Sequence, residues 1–129
     1  MTDSTFRIIE AIKAIPKGKV SSYRDVALAA GLPNGARQTV RVLHSLSEKY
    51  DLPWHRVIRS NGTIALKEGE GRELQMELLR SEGVVVSDAG RVDNYSNLSH
   101  TMTPRALFEN FHAEARRTQS SDQKTKSKT

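Results

Sequence analysis

Ser21-Ser22-Tyr23-Arg24-Asp25-Val26-Ala27-Leu28-Ala29-Ala30-Gly31, followed at once by Leu32-Pro33-Asn34-Gly35-Ala36-Arg37, is the stretch on which the fold turns. Ser22 with Asp25 three residues later forms a capping box. A helix is expected to start there, to run through Val26, Ala27 and Ala30, and to stop at Gly31. Pro33-Asn34-Gly35 reads as a turn. Beyond it Val40, Leu43 and Leu46 recur at helical spacing and are expected to be the inward face of the next helix. Two short helices across a tight Gly/Pro turn predict a helix-turn-helix, with the second as recognition helix. Upstream, Asp3 or Ser4 is expected to cap a first helix carrying Phe6, Ile8, Ile9, Ile12 and Ile15, ended by Pro16-Lys17-Gly18-Lys19.

Downstream, residues 47–56 read as a loop. Val57-Ile58-Arg59 and Thr63-Ile64-Ala65 flank an Asn61-Gly62 turn, the pattern of a β-hairpin, which would serve as a wing. Glu73 to Glu82 is expected to be helical with Leu74, Leu78 and Leu79 inward and Gly83 as its C′ residue. Val84-Val85-Val86 reads as a short strand and Asp88-Ala89-Gly90 as a turn. The predicted fold class is mainly α with a small β component, a winged helix-turn-helix over residues 1–96. Residues 97–129 form a C-terminal extension with an expected helix over 104–117 carrying Leu107, Phe108 and Phe111, then a polar, lysine-bearing tail expected to be disordered.

Composition bounds the chemistry. A chain of 129 residues, 36% apolar, suits one small core. No window approaches the ~20 apolar residues of a membrane span, and the N-terminus lacks the pattern of a secretory signal. These features predict a soluble intracellular protein with no membrane partner, in cytoplasm or nucleoid, or in the nucleus of a eukaryote. The absence of cysteine removes disulfides, thiolate metal sites and thiol catalysis together. His44, His55, His100 and His112 show no metal-ligand spacing, so no metal and no cofactor is expected; His44, His100 and His112 read as surface residues. The net charge of +5 is uneven. Residues 1–60 hold ten Lys/Arg against five Asp/Glu, whereas residues 61–100 hold four against seven. A basic N-terminal half is what phosphate contact needs, although a solvated surface has the same composition.

Several segments together carry a resemblance. They are Ile15-Pro16-Lys17-Gly18-Lys19-Val20, Ser22-Tyr23 with Val26-Ala27, Ala36-Arg37, Pro53-Trp54-His55-Arg56-Val57-Ile58, Gly62, Leu78-Leu79 and Glu82-Gly83. In this order, with Arg37 fourteen and Trp54 thirty-one positions after Tyr23, they resemble the DNA-binding domain of the O6-alkylguanine-DNA alkyltransferases, and specifically the alkyltransferase-like proteins. That resemblance implies the alkyltransferase C-terminal-domain type of winged helix. It also implies minor-groove binding and extrusion of the alkylated nucleotide, which costs a few kcal/mol of unstacking. Arg37 matches the arginine finger that enters the vacated stack. Tyr23 matches the residue that rotates the nucleotide, and Ala27 and Ala36 would permit close backbone approach. His55 and Glu82 match the family's histidine and glutamate, while Trp54 stands where the acceptor cysteine would be. An indole is no nucleophile, so no catalytic residue and no enzymatic activity is expected, and His55 and Glu82 are read as structural.

The expected lesion pocket is Tyr23, Trp54, Val57 and Lys67, the last matching a basic residue that faces the lesion in some relatives. The expected DNA contacts are Tyr23, Ala36, Arg37, Arg41 and Arg56, though Arg56 reads equally as a structural ion-pair partner. Three departures stand out: Val40-Arg41 replaces small residues, Leu46-Ser47 replaces Asn-Pro, and Leu66-Lys67-Glu68-Gly69 replaces a Gly/Tyr/Ser loop. The expected function is non-enzymatic recognition of O6-alkylguanine in double-stranded DNA by a monomer, flagging it for nucleotide excision repair proteins. The alternative is a winged-helix sequence-specific regulator without lesion preference. A glycosylase using His55 and Glu82 lacks a well-placed Asp or Lys nucleophile near Trp54.

Overall fold

The computed structural model describes residues 1–100. Helix α1 spans Asp3–Lys13, β1 Ser21–Ser22, α2 Tyr23–Ala29, α3 Ala36–Tyr50, β2 Val57–Ile58, α4 Arg72–Ser81 and α5 Tyr95–Leu98. The cap of α1 is Thr2, whose side chain accepts from the Thr5 amide, one residue ahead of the position expected. Ser22 caps α2 as expected, its Oγ accepting from the Asp25 amide at 3.0 Å. Gly35 closes the turn to α3: a β-carbon there would lie 2.8 Å from the Leu32 β-carbon and 3.4 Å from that of Ala27. Only a bare backbone lets the two helices approach this closely. Ala27 is fully buried beneath this turn, so it packs the helix pair together and is not available to a groove.

Two apolar clusters divide the core. The first joins α1, α2 and α3 through Ile8, Ile12, Val26 and Val42; the second gathers Val20, Ile58, Ile64, Met76, Leu79 and the valines 84, 86 and 92. The inward face of α3 is Thr39 and Val42, with Leu43 and Leu46 half-buried against the cluster, while Val40 is 47% exposed. Thr39 is tolerated inside because its hydroxyl donates to the Gly35 carbonyl at 3.1 Å. On α4 the buried residues are Gln75, Met76 and Leu79; Leu74 is 50% exposed.

The expected hairpin is replaced by a different pairing. Val57 and Ile58, both buried, pair in parallel with Ser21 and Ser22, so the helix-turn-helix itself is the crossover between the strands. A tight turn does form at Asn61-Gly62, closed by the Arg59 amide on the Thr63 carbonyl at 2.9 Å. The chain then bridges Thr63 to Arg91, and Val86 to Val92, in antiparallel fashion. Two consecutive buried residues cannot both face one side of a hairpin, which is why this segment is recruited as an inner strand. Residues 47–50, expected in a loop, are the last turn of α3. Pairing to the fold continues through His100: the Val20 amide donates to the Leu98 carbonyl and the His100 amide to the Val20 carbonyl, bracketing the parallel Val20–Ser99 bridge. His100 is half-buried and not a surface residue. The expected helix over 104–117, the tail and His112 lie outside the described residues. Among those described, no helix is long and apolar enough to cross a membrane.

Candidate lesion-binding site

The path from α3 to β2 builds the site. Helix α3 ends at Asp51, a left-handed residue (φ 52°, ψ 50°) that sends the chain back on itself. Asp tolerates this conformation better than most side chains. Leu52, 4% exposed, anchors the return. Pro53 then leads into a 3-10 turn over Trp54–Arg56, and Val57 enters β2. Tyr23, the first residue of α2, and Trp54 line the same cavity. That cavity holds about 630 Å³, within the ordinary range for small-ligand sites. Tyr23, Trp54 and Val57 line it. Its outer walls are Val40 and Leu43 from α3 and Leu66 and Leu74 on the opposite side. Val40 and Leu74, read from the sequence as core, are thus apolar walls of an open cavity. His44, read as a surface residue, is exposed but borders it.

Behind Trp54 lies a polar cluster. Glu82, at the C-terminus of α4, accepts from Arg56 through both carboxylate oxygens (Nε to Oε1 3.0 Å, Nη2 to Oε2 2.7 Å). It lies 2.8 Å from His55 Nε2 and also accepts from the Gly18 amide at 3.3 Å. Arg56 Nη1 donates to the Ile15 carbonyl at 2.8 Å. Burial opposes ionisation of Glu82, but the bonds from Arg56, His55 and Gly18 outweigh it and hold the carboxyl down at about 2. The cluster ties the end of the α1 loop, the Trp54 turn and α4 into one unit. Its groups are engaged with one another. This corrects the reading of Arg56 as a DNA contact: its side chain is 16% exposed and spent on Glu82 and Ile15.

Other expected residues fall differently. Arg37 and Arg41 are exposed near the N-terminus of α3, and no bond or ion pair engages either among the described residues. Ala36 is half-buried as the first residue of α3. Lys67 stands outside the cavity and is exposed; its backbone amide donates to Glu70 Oε1 at 3.0 Å, and Leu66, Glu70 and Gly71 line the cavity in its place. Burial raises the Tyr23 phenol, partly offset by the charge of Arg59, a neighbour the sequence reading did not single out. The sequence reading also missed Gln75, which is buried and lines the cavity. Among the described residues, no group of three His, Cys, Asp or Glu could hold a metal ion.

Residues 3–84 match the family described as "6-O-methylguanine DNA methyltransferase, DNA binding domain". The chain belongs to that family. The DNA base-flipping protein of Escherichia coli (strain K12) is 46% identical over 87 residues, 67% of each chain. Alkyltransferase-like protein 1 of Schizosaccharomyces pombe is 35% identical over 97 residues, 74% of this chain and 90% of that one. The crystal structure of S. pombe Atl1 in complex with damaged DNA containing O6-carboxymethylguanine superposes with a TM-score of 0.68 at 32% identity, covering 79% of this chain and 98% of that one. The fold is thus the winged helix-turn-helix of the alkyltransferase DNA-binding domain. Transfer of a methyl group to a protein cysteine, the chemistry named in a rat relative 36% identical over 73 residues, 57% of this chain and 35% of that one, is closed to this sequence, which holds no cysteine.

Proposed function

We propose that the protein recognises O6-alkylguanine in double-stranded DNA without repairing it. The nucleotide is extruded through the minor groove into the cavity, where its base lies between Tyr23 and Trp54 and against Val57. Arg37 enters the vacated stack and Arg41 contacts phosphate. One observation carries the reading: Trp54 occupies the wall of a preformed cavity, over a His55–Glu82–Arg56 cluster whose groups are engaged with one another. A polarisable aromatic wall favours an alkylated base and offers it no nucleophile. A bound lesion that is not repaired benefits a cell only when another activity removes it. The partners are accordingly the damage-recognition proteins of nucleotide excision repair, and the protein acts as a monomer on chromosomal DNA, in the nucleoid of a bacterium or the nucleus of a eukaryote.

The test is competition binding with duplexes carrying O6-methylguanine, a larger O6-alkyl adduct or plain guanine. Wild type is expected to prefer both adducts. Arg37→Ala is expected to lower adduct affinity about ten-fold, as the loss of one buried charge-assisted contact would. Equal affinity of wild type for all three duplexes would sink the proposal.

A further inference from the structure

Gln75 is the one polar residue on the inward face of α4, between the exposed Leu74 and the buried Met76. It is 2% exposed. Its amide nitrogen donates to two main-chain carbonyls, His55 O at 3.1 Å and Val57 O at 3.2 Å. The His55 carbonyl belongs to the turn that carries Trp54 and the Val57 carbonyl to β2 directly after it, and carbonyls accept only, so the nitrogen must be the atom facing them. The amide oxygen is buried and has no partner among the described residues. An apolar side chain would avoid that unsatisfied acceptor and pack beside Met76 and Leu79, at the cost of both bonds to the main chain. What it would not do is hold the main chain on either side of Arg56 to α4.

We infer that Gln75 is a positioning residue for lesion recognition: it clamps the Trp54 turn to α4 and so sets how the indole meets the base in the cavity. Two independent holds then act on the turn. The Glu82–Arg56–His55 cluster fastens its side chains, and Gln75 fastens its backbone. Gln75 also lines the cavity, so the clamp and the binding space share one wall. The inference rests on the lesion-binding reading for its effect on affinity, but not for its effect on Trp54.

The experiment compares wild type, Gln75→Met and Gln75→Glu, each checked for helical content by circular dichroism. Binding is read by anisotropy on duplexes with a single O6-methylguanine or plain guanine. Trp54 is the only tryptophan, so its emission reports on the turn without a label. Gln75→Met is expected to keep plain-duplex affinity, to lose adduct preference about ten-fold (two hydrogen bonds' worth), and to shift Trp54 emission to longer wavelength. Gln75→Glu cannot donate when ionised, but its neutral acid can make one of the two bonds. Its adduct preference and emission should move toward wild type as pH falls, while Gln75→Met, which shares every other titrating group including His55 and Glu70, should not. Parallel loss of both duplexes, or unchanged Trp54 emission in Gln75→Met, overturns the inference. If wild type shows no adduct preference, the functional reading fails, and the emission comparison still decides whether Gln75 positions Trp54.

Discussion

Replacing Glu82 by Gln tests whether the family's histidine and glutamate now serve as structure. The carboxylate takes two bonds from Arg56, one from the Gly18 amide and one contact at 2.8 Å from His55, with its side chain only 10% exposed and that of Arg56 16%. Glutamine keeps the shape and can retain one bond to Arg56, but it leaves a guanidinium poorly compensated. Breaking a fully buried pair costs 3–5 kcal/mol; residual exposure here reduces the expected loss to about 2–3 kcal/mol. The depression of Glu82 from 4.5 to about 2 gives an independent ceiling near 3 kcal/mol. For a domain of this size that loss lowers the melting temperature by roughly 10–20 °C.

The pH dependence carries a sign that can be checked. A carboxyl depressed by folding contributes fully above about pH 4.5, and that contribution is lost as pH falls toward 2. Urea unfolding followed by Trp54 emission should therefore show a gap between wild type and Glu82→Gln that is full at pH 6–7, narrows below about pH 4.5 as the unfolded carboxyl takes up its proton, and closes only near pH 2, where the folded one does. A gap under about 1 kcal/mol at neutral pH, or one independent of pH, would refute the assignment of Glu82 as the structural anchor of the site.

Other outcomes follow from the same geometry. Gly35→Ala forces a β-carbon to within 2.8 Å of Leu32 and should destabilise the helix pair by about 1–3 kcal/mol, measured by urea denaturation. Arg41→Ala should weaken adduct and plain duplexes alike and reduce the salt slope of binding by about 1, whereas Arg56→Ala should leave the slope unchanged and lower stability. Glu48, Asp51 and Glu70 border the cavity, so O6-carboxymethylguanine should bind about three-fold more weakly than an uncharged adduct of similar size. The difference should shrink at high salt, which a titration at 50 and 500 mM sodium chloride would reveal.

The sequence by itself determined the helix-turn-helix order, the Ser22 cap, the left-handed stop at Gly83, the family of the chain and the loss of thiol chemistry. These are local or compositional: a cap needs three residues, a stop needs one glycine, and a missing cysteine is missing everywhere. Tyr23, Trp54 and Val57 were also legible as neighbours through the resemblance. Only the tertiary structure decided which face each helix buries and what each polar group is spent on. Helical spacing marks Val40 and Leu74 as apolar but cannot say whether protein or an open cavity covers them. The Asn61-Gly62 turn was legible, yet the partner of Val57-Ile58 was not, because strand pairing is settled by segments distant in the chain. Arg56 has the same side chain whether it meets phosphate or Glu82, and twenty-six residues separate that pair. Gln75 carried no signal at all: a glutamine on a helix is ordinarily solvated, and only packing brought its amide under the turn that holds Trp54.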